Sequence, residues 1–236
     1  MVEKNLQEIL NEINEEVNQN SNEAIDKATE ILEKKYNCEM IAKKIGNRFN
    51  TGNTTLVFYS ETYPDVLFSA ILDNDTKELK DDYVYRVMTS KTEKIIEETF
   101  KREKISTAIK VLFVAESLSE QSELELSVEQ YIKTYEIKSI YIYIAFNSNE
   151  LHDNSAIKII DILKQISSNL GISIVINCFV IGEEFEKCKK ELSNNLNITK
   201  SWFINYKPEI SFNFSVYGEE KTDNVDGFIK FLKGVE

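Results

Sequence analysis

His152 is the single histidine of the chain. It lies in the polar stretch Asn147-Ser-Asn-Glu-Leu-His-Asp-Asn154, ahead of a segment with helical apolar spacing. Beside Glu150 and Asp153, an imidazole there has the chemistry of a general base or a metal ligand. The same position also suits a surface or helix-capping residue with no chemical role. One histidine excludes the zinc motifs that need two. Cys178 and Cys188 stand ten residues apart across a strand and a helix, which is not a zinc-ribbon spacing. No Gly-x-Ser-x-Gly elbow is present to serve a Ser–His–Asp triad. Cys178 sits in an apolar run, where a thiol behaves as a small hydrophobe rather than a nucleophile. No catalytic residue is therefore assigned. The enzymatic alternative is a carboxylate-based hydrolase with its site near His152 and Asp153.

Phosphate cradles need clustered glycines, because the backbone must approach the anion closely. The 7 glycines form neither a Gly-x-Gly-x-x-Gly nor a Walker loop. Gly182 stands between a strand and a helix, where α/β proteins bind ligands, but Gly182-Glu-Glu-Phe-Glu is acidic and repels phosphate. Asp73-Asn-Asp-Thr-Lys opens like a calcium loop, yet it lacks the glycine at position six and the glutamate at position twelve. It reads as a hairpin turn. No cofactor and no metal is expected.

Aromatic residues offer a different chemistry. Tyr141 and Tyr143 are two apart, so a strand puts them on one face. Trp202 and Tyr206 lie near the last strands. Tyr and Trp give large contact area at low entropic cost, and they concentrate at protein interfaces. Tyr141, Tyr143, Trp202 and Tyr206 are the expected binding residues, with packing of a core as the competing use.

Charge narrows the partner. Lys and Arg number 28 against 40 Asp and Glu, a net charge of −12, and only Arg48, Arg86 and Arg102 are arginines. Nucleic-acid binding draws on basic patches, and anionic membranes repel an acidic surface. The expected partner is a protein, basic in charge, with no nucleic acid. Three widely spaced cysteines make no disulfide framework. No apolar run of membrane-spanning length occurs. The first residues, Met1-Val-Glu-Lys-Asn-Leu-Gln-Glu, lack the basic and apolar regions of a signal peptide. The expected location is cytoplasmic, or membrane-anchored and extracytoplasmic if an upstream leader has been removed.

The elements that must position these residues follow from periodicity. Residues 3–18 carry Leu6, Ile9, Leu10, Ile13 and Val17 at helical spacing, and residues 22–36 repeat the pattern with Ile25, Ala28, Ile31 and Leu32. A weak strand signal covers 38–46. Thr55–Tyr59 and Val66–Leu72 are β-rich, separated by Thr62-Tyr-Pro-Asp65, so an antiparallel meander is expected. Residues 83–103 read as a helix that Asp81 or Asp82 could cap, although Tyr83–Val87 could also continue the sheet. Beyond them, strands at 108–115, 139–146 and 172–181 alternate with helices at 126–135, 154–169 and 183–195. The two longest apolar strands read as buried on both faces. Phe212, Phe214 and Val216 alternate with Ser211, Asn213 and Ser215, which marks a half-exposed strand, and a helix at 225–233 closes the chain.

The fold class expected is α+β or mixed α/β: an N-terminal helix over 1–21, a helix-plus-meander region over 22–104, and an α/β region over 105–236.

One resemblance adds to this. Ala28-Thr-Glu-Ile-Leu-Glu-Lys-Lys-Tyr36, Lys44-Ile-Gly-Asn-Arg-Phe49, Val66-Leu-Phe-Ser-Ala70 and Lys80-Asp-Asp-Tyr-Val84 resemble small α/β surface proteins and lipoproteins of low-GC Gram-positive bacteria. In that pattern a helix leads into a meander and an Asp-Asp-Tyr element opens the next helix. Some such proteins accompany polymorphic toxins as immunity factors. The resemblance covers residues 22–100 and implies no catalytic residues. The acidity, the interface-type aromatics and the absence of catalytic motifs lead to the expectation of a non-enzymatic binding protein, of which an immunity protein masking a toxin is the concrete form.

Overall fold

The computed structural model describes residues 21–47, 52–114, 124–152, 154–192, 195–196, 198–218 and 221–232. The expected helix over 3–18 and the side chain of Asp153 lie outside them. The chain divides into two compact units, with the division at Arg86/Val87.

The first unit is α+β, as expected. Residues 21–36 are helical (α1). Four strands follow: β1 (Met40–Asn47), β2 (Asn53–Ser60), β3 (Phe68–Asp73) and β4 (Leu79–Asp81). They pair antiparallel in the order β1-β2-β3-β4. Burial alternates along β2, so one face of the meander is dry. Leu32, Leu56, Phe58, Phe68 and Tyr83 fill that side. The β3–β4 turn holds itself closed: the carboxylate of Asp73 accepts the N–H groups of Asp75 and Thr76 at 2.9 and 2.8 Å. Those backbone donors, Thr76 first, hold the Asp73 carboxyl below its ordinary value.

Lys80-Asp-Asp-Tyr-Val84 is a double staple. The buried Asp81 carboxylate accepts from Tyr36 Oη at 2.7 Å, Lys35 Nζ at 2.9 Å and the Tyr83 N–H at 3.1 Å. Asp82 accepts from the Ser69 N–H at 2.6 Å and from Arg86 Nε at 2.7 Å. Asp81 thus ties α1 to the start of the next helix, α2 (Tyr83–Arg102), and Asp82 ties β3 to it. The caps also decide Tyr83–Val87, which is helical rather than a continuation of the sheet. The boundary expected near Lys104, between the helix-plus-meander region and the α/β region, falls in the turn after α2, where Lys104 takes a left-handed conformation, φ 60°.

The second unit carries a five-stranded sheet in sequence order: β5 (Thr107–Val114), β6 (Ser139–Asn147), β7 (Ser173–Ile181), β8 (Ile210–Tyr217) and β9 (Lys221–Asp223). β6 and β7 are parallel; the other neighbours are antiparallel. A parallel pair needs a long crossover, and α4 (Ser155–Leu170) supplies it, ending on Gly171 at φ 65°. Ahead of β6, α3 (Val128–Thr134) starts with a capping box between Ser127 and Gln130. After β7 come α5 (Phe185–Leu192) and α6 (Lys200–Ile204), and α7 (Val225–Leu232) follows β9. Besides α2, three helices end on non-glycine residues in the left-handed region: Asn37 after α1, Glu136 after α3 and Lys207 after α6.

The two faces of this sheet are covered differently. α4 and α7 lie over one face, where Phe214 stacks on Phe228 with ring centres 4.7 Å apart. α5 and α6 cover the other face only beside Ala108, Ala145 and Phe179. The expectation of strands apolar and buried on both faces therefore holds over part of their length only. β6 is buried on both sides from Ile144 to Phe146, and β7 from Cys178 to Ile181; before those points burial alternates. The outer edge of β5 is plugged: the Val111 N–H donates to Glu93 of α2 at 2.9 Å, and Lys110 pairs with the same carboxylate at 3.4 Å.

Candidate functional site

The part of that second face that no described helix covers is built by register. Leu112, Tyr141, Val175 and Ser215 stand side by side on four neighbouring strands. The next row on the same face is Val114, Ser139, Ser173 and Tyr217. On the other side of the first row lie Lys110, Tyr143, Asn177 and Asn213. Neighbouring strands are about 4.8 Å apart, so Val114 and Tyr217 stand about 14 Å from each other. Tyr141, Val114 and Tyr217 are 40, 41 and 41% exposed, while Leu112, Val175 and Tyr143 are half-buried between them. The result is a patch of tyrosine and aliphatic side chains set among serines and asparagines, all on neighbouring hydrogen-bonded strands.

One end of the patch meets an aromatic stack. Phe179 of β7 lies flat against Phe203 of α6, with centres 4.5 Å apart and planes at 7°. Tyr143 stacks on Phe203 from the open side at 6.1 Å and 15°. Trp202 meets Phe203 edge-on at 4.9 Å, and its ring lies 4.7 Å from that of Tyr206. Tyr206 is buried, and its hydroxyl donates to Glu191 at 2.6 Å. Burial first, and then the Glu191 carboxylate, push the Tyr206 hydroxyl above its ordinary value. Desolvation first, with Glu191 adding, pushes the neighbouring Cys188 thiol up to about 12. Burial alone raises the Cys178 thiol.

The structure thus gathers three of the four sequence-selected aromatics, Tyr143, Trp202 and Tyr206, around Phe203. It leaves Tyr141 on the open sheet. Tyr143 and Trp202 are half-buried at the margin, and Tyr206 stands behind Trp202 as its support. Sequence reasoning missed Val114 and Tyr217, and it grouped Phe203 with the aromatics without selecting it as a binding residue. The alternation over 211–216 extends to Tyr217, so that residue was within reach of the same signal. Phe203 sits on a helix of five residues, too short to show a period.

His152 lies in a separate place, a wide cleft of about 900 Å³ whose lining includes Lys104, Glu150, Lys158 and Asp161. Its backbone does the capping work of the α4 start: its N–H donates to Ser155 Oγ at 2.8 Å, and its carbonyl accepts the Ser155 N–H at 2.7 Å. The side chain is exposed, and among the described residues nothing hydrogen-bonds its imidazole. Glu150 is committed elsewhere. Its two oxygens accept from the Ser106 N–H at 2.7 Å and Ser106 Oγ at 2.9 Å. Among the described residues, no group of three or more His, Cys, Asp or Glu is placed to hold a metal. No helix among them is long and apolar enough to cross a membrane.

Comparison with known proteins adds the fold. No family model matches the chain, and no curated protein does. Among solved structures, the chain is similar to a DUF5037 family protein from Ruminococcus gnavus, at 16% identity and a TM-score of 0.61. The likeness covers 89% of this chain and 98% of that one. At such identity it speaks for the shared architecture and for no site or activity.

Proposed function

We propose that the chain is a non-enzymatic protein-binding module whose contact surface is the open part of the second sheet. The carrying observation is the placement of Tyr141, Val114 and Tyr217, all exposed, on one sheet face among Ser and Asn. Rigid tyrosines on paired strands lose little entropy on docking, and small polar neighbours adapt to a partner's hydrogen bonds. The net charge of −12 selects a basic partner and speeds encounter with it. An immunity-type protein that masks a basic toxin is the concrete version. A cytoplasmic location suits it, with a membrane-anchored extracytoplasmic position as the alternative.

The experiment is capture from lysate of the source organism with wild-type bait and with a Tyr141→Ala/Tyr217→Ala bait, at low and moderate salt. One stoichiometric basic protein, weakened by salt and lost from the double variant, is the expected result. A partner held equally by both baits, or indifferent to salt, removes the reading. The hydrolase alternative draws only on the presence of His152 in a cleft. Hydrolytic activity lost in His152→Ala would be needed to revive it.

A further inference from the structure

A second feature lies at the carboxyl ends of the parallel strands β6 and β7, away from the tyrosine patch. Open α/β sheets hold ligands at that end, because the chain turns there leave a crevice between strand and helix. In this unit a cleft of about 240 Å³ opens there, lined by Lys101 and Glu97 of α2, residues 104–107, Glu150, and Lys189 of α5. Three lysines face two glutamates in it, a local positive balance in a chain whose net charge is −12.

Both glutamates are already engaged. Glu150 is held at both oxygens by Ser106, and Glu97 pairs with Lys189 at 2.8 Å. Lys101 and Lys104 have no ion-pair or hydrogen-bond partner for their ammonium groups among the described residues. Thr107, only 1% exposed, is the one residue among those described whose buried side-chain oxygen, Oγ1, lacks a hydrogen-bond partner. A buried hydroxyl without a partner is costly, and such groups call for a specific explanation. Here the hydroxyl belongs to a residue that lines a small cleft with two unpaired ammonium groups.

We infer that this cleft is a binding site for a small oxyanion-bearing molecule, a carboxylate or a phosphate. Lys101 and Lys104 supply charge, and the Thr107 hydroxyl serves as a donor. Ser106, fixed by Glu150, shapes the rim. The site is independent of the contact surface proposed above.

The test uses the full chain and two probes, inorganic phosphate and malonate, titrated at constant ionic strength and read by amide chemical shifts of Ser106 and Thr107. Saturation by one probe and not the other tells phosphate from carboxylate, and either result supports the site. Lys101→Ala/Lys104→Ala should lose saturation. A Lys133→Ala/Lys230→Ala control, with the same change in net charge, should keep it. Thr107→Val should fold with undiminished thermal stability, because it removes a group with no folded partner, and should bind about tenfold more weakly. Absence of saturation with both probes overturns the inference. So does saturation retained in Lys101→Ala/Lys104→Ala, or equal affinity in Thr107→Val.

Discussion

The two ends of one sheet face differ in what covers them. Beside Ala108, Ala145 and Phe179 the face is sealed by α5 and α6, and the Phe179–Phe203–Tyr143 stack runs outward from strand to margin. Four to six residues further along the sheet, Tyr141, Val114 and Tyr217 are 40, 41 and 41% exposed. The strands do not change in kind between these ends. What changes is the helix overhead: α5 is eight residues long and α6 five, too short to roof the whole sheet. Aromatic residues at one end therefore stabilise the fold, and at the other Tyr141 stays open to contact.

Truncation should separate the ends most sharply. Phe203→Ala should cost about 3–5 kcal/mol, as large core aromatics do. Tyr141→Ala on the open end should stay within about 0.5 kcal/mol. Urea unfolding of the two variants checks the contrast, and equal losses would mean that the open end is in fact a packed one.

Alkali should act on the sealed end. The Cys188 thiol keeps its proton in the folded chain up to about 12, against an ordinary 9.0 when unfolded. Its contribution is complete below 9.0 and shrinks as pH rises toward about 12, because only the unfolded chain gains by ionising. Tyr206 is shifted in the same direction. Stability should therefore fall across that interval, and Cys188→Ala should flatten the fall; an unchanged slope in urea midpoints against pH would assign it to other groups.

A smaller effect should come from the end of α6, at the border of the sealed region. Lys207 holds φ 49°, a conformation that costs any residue with a Cβ. Lys207→Gly should raise stability by about 0.5 kcal/mol, the relief of that strain exceeding the added freedom of the unfolded chain. A lowered thermal midpoint would show instead that the lysine side chain earns its place.

Much of the architecture was legible because it repeats. The apolar spacing over 154–169 and 22–36, and the capping carboxylates before Tyr83, each appear in the structure within a few residues of their expected place. Short elements carry no period: β4 and β9 are three residues each, and neither was expected. The shared face of Tyr141 and Tyr143 follows from strand geometry alone. Their different burial does not, since it depends on where α6 comes to rest, and that is settled by contacts between Phe203 and Phe179, 24 positions apart. Likewise, Glu150 could be picked out as a neighbour of His152, but its commitment to Ser106 joins positions that only the fold brings together.

Glu93 carries one more consequence. An outermost strand is a template on which a second chain can pair, and the Glu93 carboxylate occupies one of the β5 rungs by taking the Val111 N–H. The plug is a side chain, not another strand, so it can be withdrawn without unravelling the sheet. The colloidal behaviour of the protein thereby draws on one residue at the β5 edge: a chain with net charge −12 stays dispersed by repulsion, and this one carboxylate adds a local guard against strand-by-strand growth into aggregates.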